Sequence, residues 1–89
     1  MRYRWLVFSG LLMGAIACAN PEQSAECAQY VSCVRAFDAL ESVTTNAKRF
    51  EPDGACWGGV EGAALCTRAC VGGLEYINTA YTDPPEVCR

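Results

Sequence analysis

The 89-residue chain carries seven basic residues, ten acidic ones and no histidine, for a net charge of −3. That length holds at most one domain, and the acidic balance argues against a surface built to displace counterions from nucleic acid or anionic lipid. The missing imidazole removes the usual general base of neutral-pH catalysis, and with it any Ser-His or Cys-His pair.

The first element is an export signal. Arg2 and Arg4 form a basic start, an apolar run follows from Trp5 to Ala17, and small residues close it. A membrane helix needs roughly 20 apolar residues, whereas only 15 separate Arg4 from Asn20. The run therefore predicts a signal-peptide helix within 1–17 and not a span. Ala15 and Ala17 suit cleavage before Cys18, while Ala17 and Ala19 suit cleavage before Asn20.

Residues 15–18, Ala-Ile-Ala-Cys, resemble the lipobox of bacterial lipoproteins, with Ala15 standing where leucine is commoner. The resemblance implies that the Cys18 thiol receives a diacylglycerol and becomes the first mature residue, so that 18–20 tether the chain to a membrane. Ala19 takes the place where an Asp often marks inner-membrane retention, which implies the outer membrane of the cell envelope. Parity agrees: seven cysteines less Cys18 leave six, at 27, 33, 56, 66, 70 and 88, an even set. Cleavage before Asn20 leaves the same six and gives a periplasmic or secreted protein, an alternative that stays open.

Residues 21–89 form the predicted cysteine-rich domain. Export implies an oxidising compartment, so the six cysteines predict a disulfide framework. So short a chain buries only ~60% of its unfolded surface, and three bridges at ~2–4 kcal/mol each would supply much of the missing stability. Asn20, Pro21 and Gln23 fit the cap, first and third positions of a helix start, and Cys27, Tyr30, Cys33, Phe37 and Leu40 then recur at steps of three and four. Val43-Thr44-Thr45-Asn46 offers the exit, giving a helix over about 21–45. In the stretch 50–59, Pro52 suits the second position of a turn and Gly54 the fourth.

A second helix is predicted over about 60–79, with Cys66, Cys70, Gly73 and Ile77 on one stripe and Leu65, Ala69 and Leu74 flanking it. Glycine costs ~1 kcal/mol against alanine inside a helix, but bridged Cα atoms must come within ~4.4–6.8 Å. Small residues at Gly62, Ala63, Ala69 and Gly73 would permit that approach. Gly72-Gly73 as a helix end is the competing reading, and Asp83-Pro84-Pro85 stops the helix in either case.

The predicted fold is all-α, a small disulfide-stapled antiparallel helical hairpin. Cys66 and Cys70 are one turn apart, their Cβ atoms ~5–6 Å from each other, too wide for a mutual bridge. Six cysteines allow 15 connectivities. Antiparallel packing favours Cys33–Cys70, Cys27–Cys88 and Cys56–Cys66, with Cys27–Cys70, Cys33–Cys66 and Cys56–Cys88 as the nested alternative.

Residues 21–89 also resemble the small, cysteine-rich, uncharacterised lipoproteins of Gram-negative bacteria, in which paired cysteines on two helices flank a turn with Pro-Asp-Gly and Cys-Trp, here Pro52–Gly54 and Cys56-Trp57. The resemblance supplies no activity. The twin Cys-x3-Cys hairpins of mitochondrial import chaperones fit less well, because the first pair here is spaced Cys-x5-Cys.

No phosphate-binding loop, EF-hand ligand series around Asp53 or dinucleotide fingerprint is present. Glu22, Glu26, Asp38 and Glu41 read as solvated surface. The sequence thus predicts a non-catalytic, lipid-anchored module that is structural or binds an envelope protein. No cofactor, metal, nucleic acid or small-molecule substrate is inferred. Two alternatives remain: a secreted disulfide-rich binding or inhibitor-like protein, and a thiol-disulfide or metal-binding protein using Cys66 and Cys70, where Arg68 could lower a thiol pKa. Trp57, Tyr76 and Tyr81 are the candidate contact residues, since aromatics concentrate at interface hot spots.

Overall fold

The computed structural model describes residues 20–89; the expected export signal over 1–17 and the expected lipid site Cys18 lie outside the described residues. Two α-helices, α1 (Ala25–Glu41) and α2 (Val60–Ala80), are joined and flanked by short 3₁₀ turns at Lys48–Phe50, Ala55–Gly58 and Glu86–Cys88. The described residues contain no strand, so the domain is all-α as its apolar periodicity predicts.

α1 begins four residues later than expected because Ser24, not Asn20, caps it. Ser24 is extended, and its hydroxyl accepts the Cys27 N–H at 3.3 Å. Gln23 instead donates its side-chain amide to the Phe50 carbonyl at 2.8 Å, tying the chain's approach to the connector. The helix closes at Ser42, in the left-handed region with φ 57°, whose N–H returns to the Asp38 carbonyl. Asp38, expected to be solvated surface, accepts the Thr45 N–H at 2.7 Å and the Thr45 hydroxyl at 2.8 Å. That pull takes Thr45 out of the helix and accounts for the early end.

α2 runs one residue beyond its expected end and passes straight through Gly72 and Gly73. It stops at Tyr81, extended, ahead of the two prolines. No helix among the described residues is long and apolar enough to cross a membrane.

The two helices run parallel, which corrects the expected antiparallel hairpin. Cys27 is bonded to Cys70, the Tyr30 ring lies against Gly73, and the Phe37 ring lies 4.7 Å from that of Tyr81. Each step along α1 is matched by an equal step along α2. In an antiparallel pair the ten residues from Cys27 to Phe37 would carry the chain ~15 Å away from Tyr81 rather than toward it. Tight helical hairpins use loops of ~2–5 residues, whereas 18 residues, Ser42 to Gly59, separate these helices. A connector of that length can retrace a 17-residue helix, ~25 Å long, and start the second helix beside the start of the first.

The connector is pinned on its return. A turn closes from Gly54 N–H to the Glu51 carbonyl at 2.8 Å, with Pro52 second and Gly54 fourth as the sequence predicts. Gly54 packs on the backbone carbonyls of Lys48 and Arg49 with no room for a Cβ. Trp57 is buried, and its indole N–H donates to the Glu51 carbonyl at 2.8 Å.

Three disulfides close the domain: Cys27–Cys70, Cys33–Cys88 and Cys56–Cys66, with Cα separations of 5.1, 4.8 and 5.9 Å. Of the favoured set only Cys56–Cys66 is present, and of the nested set only Cys27–Cys70. Cys33–Cys88 belongs to neither, because parallel packing sends the chain beyond α2 and the tail folds back to reach α1. Asn78 fixes that return by donating its amide to the carbonyls of Leu74 and Cys88, at 2.9 and 2.6 Å.

Five of the eleven buried apolar side chains are cysteines, so the bridges are themselves core. One cluster gathers Val31, Val34, Ala47, Leu74 and Ile77 around Cys33–Cys88, and another sets Trp57 on Cys27–Cys70 and Cys56. Leu40 and Leu65, placed on or beside the predicted stripes, are exposed. Val31 and Val34 take the inward positions that Leu40 does not.

Ala63 packs on the Cys27, Cys56 and Cys70 cluster, and of the α2 glycines Gly73 sits hardest against the other helix. A Cβ there would lie 2.5 Å from Cε1 of Tyr30, whereas one on Gly72 meets nothing within 4 Å. Opposite signs are expected for the two alanine substitutions. Gly72→Ala gains up to ~1 kcal/mol of helix propensity, raising the melting temperature by ~4–8 °C. Gly73→Ala gains the same but forces Tyr30 into Phe50, at an overpacking cost of ~1–3 kcal/mol, and is expected to melt lower than wild type. A thermal melt in which both variants shift the same way would contradict the close packing at Gly73.

Candidate functional site

The sequence-derived site residues separate into three groups. Cys18 lies outside the described residues. The six remaining cysteines are all bonded, so Cys66 and Cys70 are not free thiols: Cys66 is held by Cys56 and Cys70 by Cys27. In this bonded state neither sulfur is the thiolate that exchange or metal binding would use. Trp57 is likewise withdrawn from the contact surface, being 6% exposed within the disulfide cluster.

Tyr76 and Tyr81 remain, and the parallel helix pair brings them together. Tyr76 is on the last turns of α2 and Tyr81 is its cap; their rings stand 6.5 Å apart at 82°. Phe37, on the last turns of α1, meets Tyr81 edge-on at 65°. Tyr30, about two turns earlier on α1, leans on Gly73 and Phe50. The rings line a half-open hollow of about 180 Å³ together with Val34, Thr45, Gly73 and Ile77. Leu40 and Val43, both exposed, extend the apolar surface at this end.

Edge-to-face aromatic pairs of this kind add ~0.5–1.5 kcal/mol beyond their burial, so the rings hold one another in place although Tyr76 and Tyr81 are exposed. Phe37 and Tyr30 read from the sequence as core stripe only. Their spacing from Tyr76 and Tyr81 could not identify them as cavity walls until the helix direction was known.

A larger hollow of about 410 Å³ lies on the connector between Asn46, Lys48, Arg49 and Asp53. Those four side chains are exposed and carry both signs of charge, leaving nothing to enclose a ligand. Among the described residues no three His, Cys, Asp or Glu side chains are grouped to hold a metal ion.

No family model, curated protein or solved structure matches this chain.

Proposed function

We propose that this protein is a non-catalytic, lipid-anchored module of the bacterial cell envelope, held at the outer membrane through Cys18 and presenting its far end to a partner. The observation that carries the reading is the oxidised sulfur core. Three bridges whose cysteines are largely or fully buried suit a chain that matures outside the reducing cytoplasm, as the export signal over 1–17 requires.

The fold also gives such a tether a direction. Asn20–Ser24 lead into the start of α1, and α2 starts at the same end, so Tyr76, Tyr81, Leu40 and Val43 sit at the end opposite the tether. A surface at that end is open to a partner when the domain stands on its tether. Two or three acyl chains would give effectively lasting attachment, where a single chain binds only reversibly.

Metabolic labelling with radioactive palmitate tests the anchor. Wild type is expected to take up label and to fractionate with membranes, while Cys18→Ser takes up none and fractionates as soluble or stays unprocessed. Unlabelled wild type whose mature amino terminus is Asn20 would replace this reading with the secreted binding protein.

A further inference from the structure

We infer that Cys56–Cys66 is a thiol-exchange site, the one bridge of the three that a small anionic thiol from solution can open. Cys27, Cys33, Cys70 and Cys88 are at most 1% exposed, so both ends of the other two bridges are closed off. Cys66 is half-buried, the least covered cysteine of the described residues, and together with Cys56 it lines an open hollow of about 300 Å³. The other walls are Arg49, Ala55 and Gly62. In thiol–disulfide exchange the attacking sulfur must reach the target sulfur itself, and the rate depends on that access. Small walls leave the approach clear: even a Cβ on Gly62 would meet only the Cys56 carbonyl, at 3.4 Å.

Charge selects an anionic attacker. Arg49 lines the hollow and no acid does. The ion pairs among the described residues engage Arg35 and Arg89, leaving Arg49 outside them, while Asp53 shares with Arg49 only the neighbouring hollow on the connector. A cation beside the bridge attracts the incoming thiolate and stabilises the thiolate that leaves. The incoming thiolate bonds to Cys66 Sγ, the Cys56–Cys66 bond breaks, and its electron pair leaves on Cys56 Sγ. A second thiol resolves the mixed disulfide, so two small thiols are oxidised to one small disulfide and their protons end on Cys56 and Cys66. This bridge also closes the shortest loop of the three, 10 residues. Opening it frees the turn at Cys56 from α2, while Cys27–Cys70 still joins the helices and Cys33–Cys88 still holds the tail.

The chemistry of this bridge is the same with or without a lipid on Cys18, so it stands or falls apart from the anchor. In the test, any free thiol of the purified mature protein is first blocked with iodoacetamide. The protein then meets mercaptoethanesulfonate or cysteamine, an anionic and a cationic thiol, is quenched with deuterated N-ethylmaleimide, and is mapped by mass spectrometry. Maleimide on Cys56 and a mixed disulfide on Cys66 are expected roughly tenfold or more ahead of any label on the other four cysteines, since access limits the attack. With each thiol's rate referred to its rate on a small linear disulfide, the anionic thiol is expected to be the faster. Arg49→Gln, at an exposed position, is expected to slow it by about two- to fivefold at low ionic strength, the share of one charge near the surface, without slowing cysteamine. First opening of Cys27–Cys70 or Cys33–Cys88, opening of all three bridges at one rate, or no opening would overturn the inference, as would wild-type kinetics in Arg49→Gln.

Discussion

Replacing Cys33 and Cys88 together by alanine is expected to lower stability by ~4 kcal/mol, and replacing Cys27 with Cys70 by nearly as much. The Cys56 and Cys66 pair is expected to cost ~3 kcal/mol. These figures follow from the loops closed, which span 55, 43 and 10 residues, through the chain entropy that each bridge removes from the unfolded state. Alanine is the better replacement because Cys27, Cys33, Cys70 and Cys88 are at most 1% exposed, and serine would bury a hydroxyl there without a partner.

The described domain spans 70 residues, for which a total stability of ~4–10 kcal/mol is typical. Loss of either long bridge therefore consumes about half of the total or all of it. Thermal unfolding followed by far-UV circular dichroism should order the melting temperatures as wild type, then the 56/66 variant, then the two long-loop variants. A 56/66 variant less stable than both others would show that local packing, not loop closure, sets the contribution of the bridges. Peptide mapping without reductant should give the same three pairs, and a Cys33–Cys70 fragment would contradict the parallel arrangement.

That arrangement marks where the sequence stops being legible. α2 is legible to within a residue because the turn-forming stretch 50–59, the apolar stripe and the paired prolines are local signals. The start of α1 slipped by four residues because Asn20 and Ser24 are both good caps, and only the choice of Gln23 to bond Phe50 separates them. Helix direction is not local. It depends on whether the connector turns back at once or travels, and its length is the one cue that the chain offers. An antiparallel direction gives the wrong partners for two of the three bridges in the favoured set, whereas the rule that Cys66 and Cys70 each reach elsewhere does not depend on direction.

The aromatic site shared the same fate. Tyr76 and Tyr81 were identifiable as surface aromatics, but antiparallel packing would have placed Phe37 at the far end of the molecule from them. Asp38 stays at the solvated surface as expected, but it has a local role besides. A carboxylate one turn before a helix end can be solvent-facing or can fold the next residues onto itself, and the neighbouring Thr45 decides between these only through three-dimensional proximity.

Trp57→Ala is expected to have the second large effect, ~3–5 kcal/mol for removal of a buried tryptophan. Its indole covers Cys27–Cys70 and Cys56, so its loss opens a cavity against disulfide sulfur that cannot relax inward, being covalently held at both ends. The side chain also organises the connector. Its N–H holds the Glu51 carbonyl, the Glu51 carboxylate pairs with Arg35 of α1, and the Glu51 carbonyl closes the turn to Gly54. The Arg35 pair is largely exposed, 66% on the arginine side, and such pairs add only ~0–1 kcal/mol. Most of the anchoring therefore comes from the indole.

Trp57→Phe separates the two roles, since it keeps most of the apolar cover and gives up one hydrogen bond, ~0.5–1.5 kcal/mol. Urea unfolding of the oxidised variants should place Trp57→Phe close to wild type and Trp57→Ala well below it at an unchanged slope. Limited proteolysis should then cut the alanine variant between residues 48 and 58, while α1 and α2 stay joined by Cys27–Cys70. Equal losses in the two variants would mean that the hydrogen bond to Glu51, and not the covered sulfur, holds the connector against the helices.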